Sequence, residues 1–215
     1  MARDIFTEPA DLDLDTLANL GPLAPLAGVW EGRGVDTHPV AEGTEDEEYL
    51  DWIELAPIDP QTNGPQLLYG LRYHQHINRL GDPVTFHDQV GYWLWEPATG
   101  AVVQSLAIPR VQVALAGGRA DPGARRFTVK AARGETGFGI CSGPFLEEAF
   151  TTVEYSNTVT VNDDGTWSYE QDTVLQVLGR PEPFHHVDRC TLRRVAAPAP
   201  NPALARTGNA APQGR

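Results

Sequence analysis

The stretch QLLYGLRYHQHI, residues 66–77, alternates along its length: Leu67, Tyr69, Leu71, Tyr73 and Ile77 fall on one face, Arg72, His74 and His76 on the other. A period of two sustained with aromatic and branched side chains is the pattern of a half-buried β-strand. The segments around it repeat the pattern. HDQVGYWLW (87–95), AVVQSLAI (101–108), RRFTVKA (125–131), TTVEYSNTVTV (151–161) and TWSYEQDTVLQV (166–177) all alternate. Turn signals such as EPATG, GGRADPGA and NDDG separate them, and NDDG at 162–165 joins two long alternating runs as a hairpin. Eight to ten such strands with no helix between successive ones exclude a parallel βαβ architecture. The expected fold is all-β: an antiparallel up-and-down β-barrel of about ten strands with a short N-terminal helix.

Three regions follow. Residues 1–20 form a helical lead-in, with Leu12, Leu14, Leu17 and Leu20 near helical spacing and Gly21-Pro22 as the stop. Residues 21–196 form the barrel. Residues 197–215, rich in Pro, Ala, Gly and Asn, lack the apolar bulk that offsets ordering entropy, so they are expected to be a disordered tail. Two Pro-containing insertions, around residues 56–65 and 139–150, are placed where they would narrow a barrel opening. The second carries a helical turn at PFLEEAF, and PEPFHHVD reads as a polar loop before a last strand CTLRRV.

With 215 residues the chain can enclose one sizeable core. Its formal net charge of −13 resides entirely in residues 1–60, where fifteen acids face only Arg3 and Arg33. No basic stripe exists to attract phosphate, so neither nucleic acid nor membrane is an expected partner. No apolar run is long enough to span a bilayer, and the N-terminal segment lacks the features of a signal peptide, so a cytoplasmic location is expected. Cys141 and Cys190 lack metal or redox spacing and are read as reduced, mostly buried residues.

Chemistry rests on the six histidines. His74 and His76, two apart on a strand, could share a metal, but their face reads as the polar outside of the barrel. His185 and His186 sit in the Pro-bounded segment, where an imidazole beside a barrel mouth can ligate a metal or a haem iron. His87 opens a strand and could face the same cavity. No GxSxG, GxGxxG or GxxxxGK[ST] pattern supports a nucleophile elbow or a phosphate cradle.

GVWEGRG at 28–34 fits GxWxGxG at Gly28, Trp30, Gly32 and Gly34. Together with Leu68-Tyr69, FHDQVGYW with His87 four residues before Gly91, the DGTWSY hairpin and a His-bearing segment before the last strand, it resembles the nitrobindin family of haem-binding β-barrels, related in architecture to fatty-acid-binding proteins. The resemblance implies ferric haem b on an axial His186, with His185 as the alternative. It implies nitric oxide binding and isomerisation of peroxynitrite to nitrate, a small-molecule partner, and His186 as the residue that carries catalysis. The cofactor-binding set it implies is Gly28, Trp30, Gly32, Gly34, Val40, Phe86, His87, Ile108 and Val153, with Asp188 near the second ring nitrogen of His186. At Val40 and Val153 this chain departs from the Thr and Lys that help hold the haem in typical members. Arg72, Arg110 and Arg180 are the substitutes available. The departures leave a second reading open, a lipocalin-like barrel carrying an apolar small molecule without metal. Oligomeric state is not readable.

Overall fold

The computed structural model describes residues 4–208. The alternating segments form β1 (Gly28–Pro39), β2 (Thr44–Pro57), β3 (Gln61–Asn63), β4 (Gln66–Arg79), β5 (Thr85–Glu96), β6 (Ala101–Ile108), β7 (Gln112–Arg119), β8 (Arg126–Arg133), β9 (Gly139–Ser142), β10 (Phe150–Val161), β11 (Trp167–Val177) and β12 (Phe184–Ala196). Short helices are α1 (Thr16–Asn19), α2 (Pro144–Ala149) and α3 (Pro202–Gly208), with a 3₁₀ segment at Gly21–Leu26. The sheet closes where β2 pairs with β4, giving an eleven-stranded barrel with β3 appended to β4. Neighbours are antiparallel except β8 and β9, which run parallel because β9 is wedged between β7 and β8. None of the helices described is long and apolar enough to cross a membrane.

The long strands of the barrel turn alternate residues inward. At one end the inward set is large and apolar: Trp30, Trp93, Trp95 and Trp167 are buried, and the 3₁₀ segment lays Leu23 and Leu26 across that end. Trp30 Nε1 donates to Leu26 O at 2.7 Å, and its ring meets Trp167 edge-on at 6.0 Å. Gly34 is required because a Cβ there would overlap the Tyr49 ring.

The lead-in helix is shorter than its leucine spacing suggests. Leu12 and Leu14 are exposed, and α1 begins only after Asp15, whose side chain accepts from Ala18 N. The tail differs more. Through residue 208 it docks on the plugged end: Asn201 is fully buried, accepts from Thr16 N at 3.3 Å and donates to Asp59 Oδ1 at 2.9 Å. Ala203 N also donates to that oxygen, and α3 follows. Polar clamping, which composition does not reveal, replaces apolar burial here. Residues 209–215 of the expected tail lie outside the described residues. Of the thiols, Cys190 is buried and Cys141 exposed, both free.

Candidate functional site

Along β1 the inward positions pass from Trp30 through Gly32 and Gly34 to Asp36 and His38, so one strand runs from the plugged end to the open one. Eight residues of extended chain span about 26 Å. Beside it β12 runs antiparallel, with Asp188 opposite Asp36 and Val187 opposite Thr37. The segment expected to be a loop is thus the first part of β12, hydrogen-bonded to β11 from Phe184 onward. Its inward residues are polar, which disguises the alternation. His186 and Asp188 point in, while His185 points out and bonds Asp172 at 2.8 Å.

Asp36, His38, His186 and Asp188 therefore share one wall of a cavity of about 620 Å³. His186 Nε2 lies 2.7 Å from Asp36 Oδ1 and 3.9 Å from Asp188 Oδ2. His38 Nδ1 lies 3.3 Å from Asp36 Oδ2 but is not aligned for a hydrogen bond, and this buried nitrogen has no partner among the described residues. Burial opposes charge on His186, but the bond to Asp36 and the charges of Asp188 and Asp36 outweigh it, so its pKa lies above the ordinary histidine value. Burial likewise pushes Asp188 up to about 6, against the pull of His186 and with the help of the Asp36 carboxylate. His87 faces the same cavity, and burial followed by the charge of Arg110 holds its pKa down, which keeps it neutral.

The rest of the lining divides in two. Phe86, Leu106, Ile108, Phe145, Phe150 and Leu175 supply apolar surface, with α2 bringing Phe145 to the cavity. Deeper in, the lining is hydrogen-bonded: Gln171 Nε2 donates to Asp188 Oδ2 at 3.3 Å, and Tyr155 Oη shares its proton between Gln171 Oε1 at 3.0 Å and Gln104 Oε1 at 2.9 Å. Beneath, Tyr169 Oη and Gln75 Nε2 both donate to Asp51 Oδ2, at 2.7 and 2.8 Å. Asp51 is buried, its Oδ1 has no partner among the described residues, and burial, only partly opposed by those two bonds, pushes its pKa up to about 7.

The sequence-derived candidates separate accordingly. Phe86, His87, Ile108 and His186 line the cavity. Gly28, Trp30, Gly32 and Gly34 do not, because they belong to the plugged half of β1, where they shape packing. Val40 lies past the end of β1, its carbonyl tied to Arg180, and Val153 is the extra residue of a bulge in β10. Of the arginines proposed as substitutes, Arg110 borders the cavity and makes no ion pair among the described residues, Arg180 binds the β1–β2 turn, and Arg72 lies on the outer wall. His74 and His76 are also outside, His76 stacked on Trp52 at 4.7 Å. The insertion at 139–150 borders the opening, whereas that at 56–65 lies at the other end, between β2 and β4. Asp36 and His38 were missed as site residues. Extending the period of two from Trp30 reaches both.

Over residues 19–194 the sequence matches the family described as THAP4-like, heme-binding beta-barrel domain. The chain belongs to this family. The fold also matches the crystal structure of Rv2717c from M. tuberculosis, with a TM-score of 0.61 and 22% identity over 85% of this chain and 99% of that one. At that identity the likeness speaks for the barrel alone.

The residues of this member of the haem-binding barrel family can be tested against a haem. Such a group needs an imidazole for its iron, an apolar envelope for its ring and donors for its propionates. His186 lines the cavity with Nε2 2.7 Å from an Asp36 oxygen, and in the neutral ring a proton held there leaves Nδ1 as the ligating nitrogen, as where a metal-bound imidazole is held by a carboxylate. The apolar lining and Arg110 answer the other two needs. The residues fit.

Proposed function

We propose that the protein holds haem b in this cavity on His186, binds nitric oxide there, and isomerises peroxynitrite to nitrate. The observation that carries the reading is the inward imidazole of His186, in a family named for haem binding. His185, bonded to Asp172 on the outer wall, is the poorer ligand. Both thiols are free, which fits the reducing cytoplasm.

When bound, the iron supplies a Lewis-acidic centre for a small anionic or neutral ligand. The chain's part is to hold and shield. Asp36 fixes the Nε2 proton of His186 and so its tautomer and ring orientation. Phe86, Leu106 and Ile108 exclude water from the ligand side, and neutral His87 offers one ring N–H there. Arg110 carries the anchoring charge that Val40 and Val153 do not supply. Adding hemin to the purified chain should give a Soret band that His186→Ala abolishes and His185→Ala retains. Nitric oxide should shift that band, and the loaded protein should raise the nitrate yield from peroxynitrite. A band that survives His186→Ala would end the reading.

One observation favours a second reading, an amphipathic small molecule without metal: the deep lining of Gln75, Gln89, Gln171, Tyr155 and Tyr169 is polar, whereas a porphyrin's edge there would be apolar. An organic ligand recovered by mass spectrometry from iron-free protein would support it.

A further inference from the structure

The wall shared by β1 and β12 carries more donor atoms than one axial bond uses. One ligand atom each from Asp36, His186 and Asp188 lie within 4.8 Å of one another. Their side chains are largely withdrawn from water, with 9%, 28% and 15% of their surfaces exposed. Asp36 and Asp188 stand directly opposite on paired strands, a placement unfavourable for like charges that the His186 imidazole beside both relieves only while it is protonated. Neither makes an ion pair with Lys or Arg among the described residues. His38 Nδ1 is a buried nitrogen without a hydrogen bond among the described residues, 3.3 Å from the second oxygen of Asp36. All four side chains rise from paired strands rather than from loops, with Asp36 opposite Asp188 on β12 and His38 opposite Glu45 on β2, so the ladders set their spacing.

We infer that Asp36, His186 and Asp188, with His38 as a fourth donor, form a binding site for a first-row divalent cation without a porphyrin. The mixture of imidazole nitrogen and carboxylate oxygen selects Zn²⁺, Mn²⁺ or Fe²⁺ over Ca²⁺ and Mg²⁺, which prefer all-oxygen shells. The ion takes the place of the proton that Nε2 now shares with Asp36, and the two carboxylates balance its charge. This site uses His186 and therefore excludes haem while it is filled. It does not rest on the haem reading, since its donors are on the page without it.

The test is calorimetric titration of the metal-stripped full chain with Zn²⁺, with the Co²⁺ absorption spectrum as a measure of nitrogen and oxygen ligation. One ion per chain is expected. Asp36→Asn and Asp188→Asn should each weaken binding by roughly 10- to 100-fold or more, and His38→Ala should weaken it less. His74→Ala with His76→Ala, on the outer wall, should leave it unchanged. Zinc should also raise the thermal midpoint of the unaltered chain, a readout that needs no variant to fold. Zinc-loaded protein should fail to develop a Soret band with hemin, whereas the metal-stripped chain should develop one. No stoichiometric binding to the unaltered chain, or binding that persists in both aspartate variants or is lost with His74 and His76, overturns the site. A Soret band without any zinc binding leaves haem and removes this inference. Zinc binding without a Soret band does the reverse.

Discussion

The two ends of the barrel are made by the same strands and differ in what those strands turn inward. Toward the plugged end β1 offers Trp30, and β11 and β12 offer Trp167 and Leu192, all buried. Toward the open end the same three strands offer Asp36 and His38, Gln171 and Thr173, and His186 and Asp188. Stability is concentrated where the inward set is bulky and apolar. Chemistry is concentrated where the ladder continues but the core does not. The closed end makes the open end possible, because continuous strand pairing keeps polar side chains in position where little apolar packing remains to hold them.

The contrast can be broken most forcefully at Trp30. Trp30→Ala should cost about 3–5 kcal/mol by leaving a cavity in the plug, whereas Ile108→Ala, already beside open space, should cost far less. Denaturant unfolding would measure both, and equal costs would erase the distinction between the ends. Next comes Asp51, which lies between them. Its carboxyl is held near 7 in the folded chain and has an ordinary value of about 4 when unfolded. Over that interval the unfolded chain has lost a proton that the folded chain keeps, so this group makes stability fall as pH rises from about 4 to about 7. Asp51→Asn should flatten that decline, with Asp188 retaining part of it. Unfolding at both ends of the interval would show identical slopes if Asp51 had no part. Gly34→Ala should cost about 1–3 kcal/mol by forcing the Tyr49 ring aside, and it should reach the cavity floor through the Tyr49 to Tyr169 hydroxyl contact at 2.9 Å. The smallest effect is expected at Asn201→Ala, about 1 kcal/mol, with hemin and zinc binding unchanged. A loss of ligand there would couple the tail to the mouth.

Much of this was legible in the residues. The period of two in 66–77 and its neighbours gave the barrel, the NDDG hairpin fell between β10 and β11, and PFLEEAF contains α2. The site was readable in part. His186 stood out as a histidine beside a last strand, His87 as one opening a strand and able to face the same cavity, and Phe86 and Ile108 came with the family resemblance. Asp36 and His38 did not, because an aspartate and a histidine at inward positions break the apolar half of the alternation from which a strand face is inferred. For the same reason residues 184–188 looked like a loop. The glycines of 28–34 drew attention as a motif, yet their work is to admit Tyr49 and the neighbouring strand. Docking of the tail depends on Asn201 meeting Thr16 and Asp59, a long-range polar match invisible to composition.

That match places Thr16 and Asn201 in hydrogen-bond contact at the base of the barrel, with the mouth on the far side. The chain thus passes Thr16 and Asn201 behind the cavity, which faces away from this contact. The same closeness makes the protein suited to circular permutation. A link between Thr16 and Asn201, with new ends opened at Asp163–Asp164, would leave the ligand wall of β1 and β12 intact.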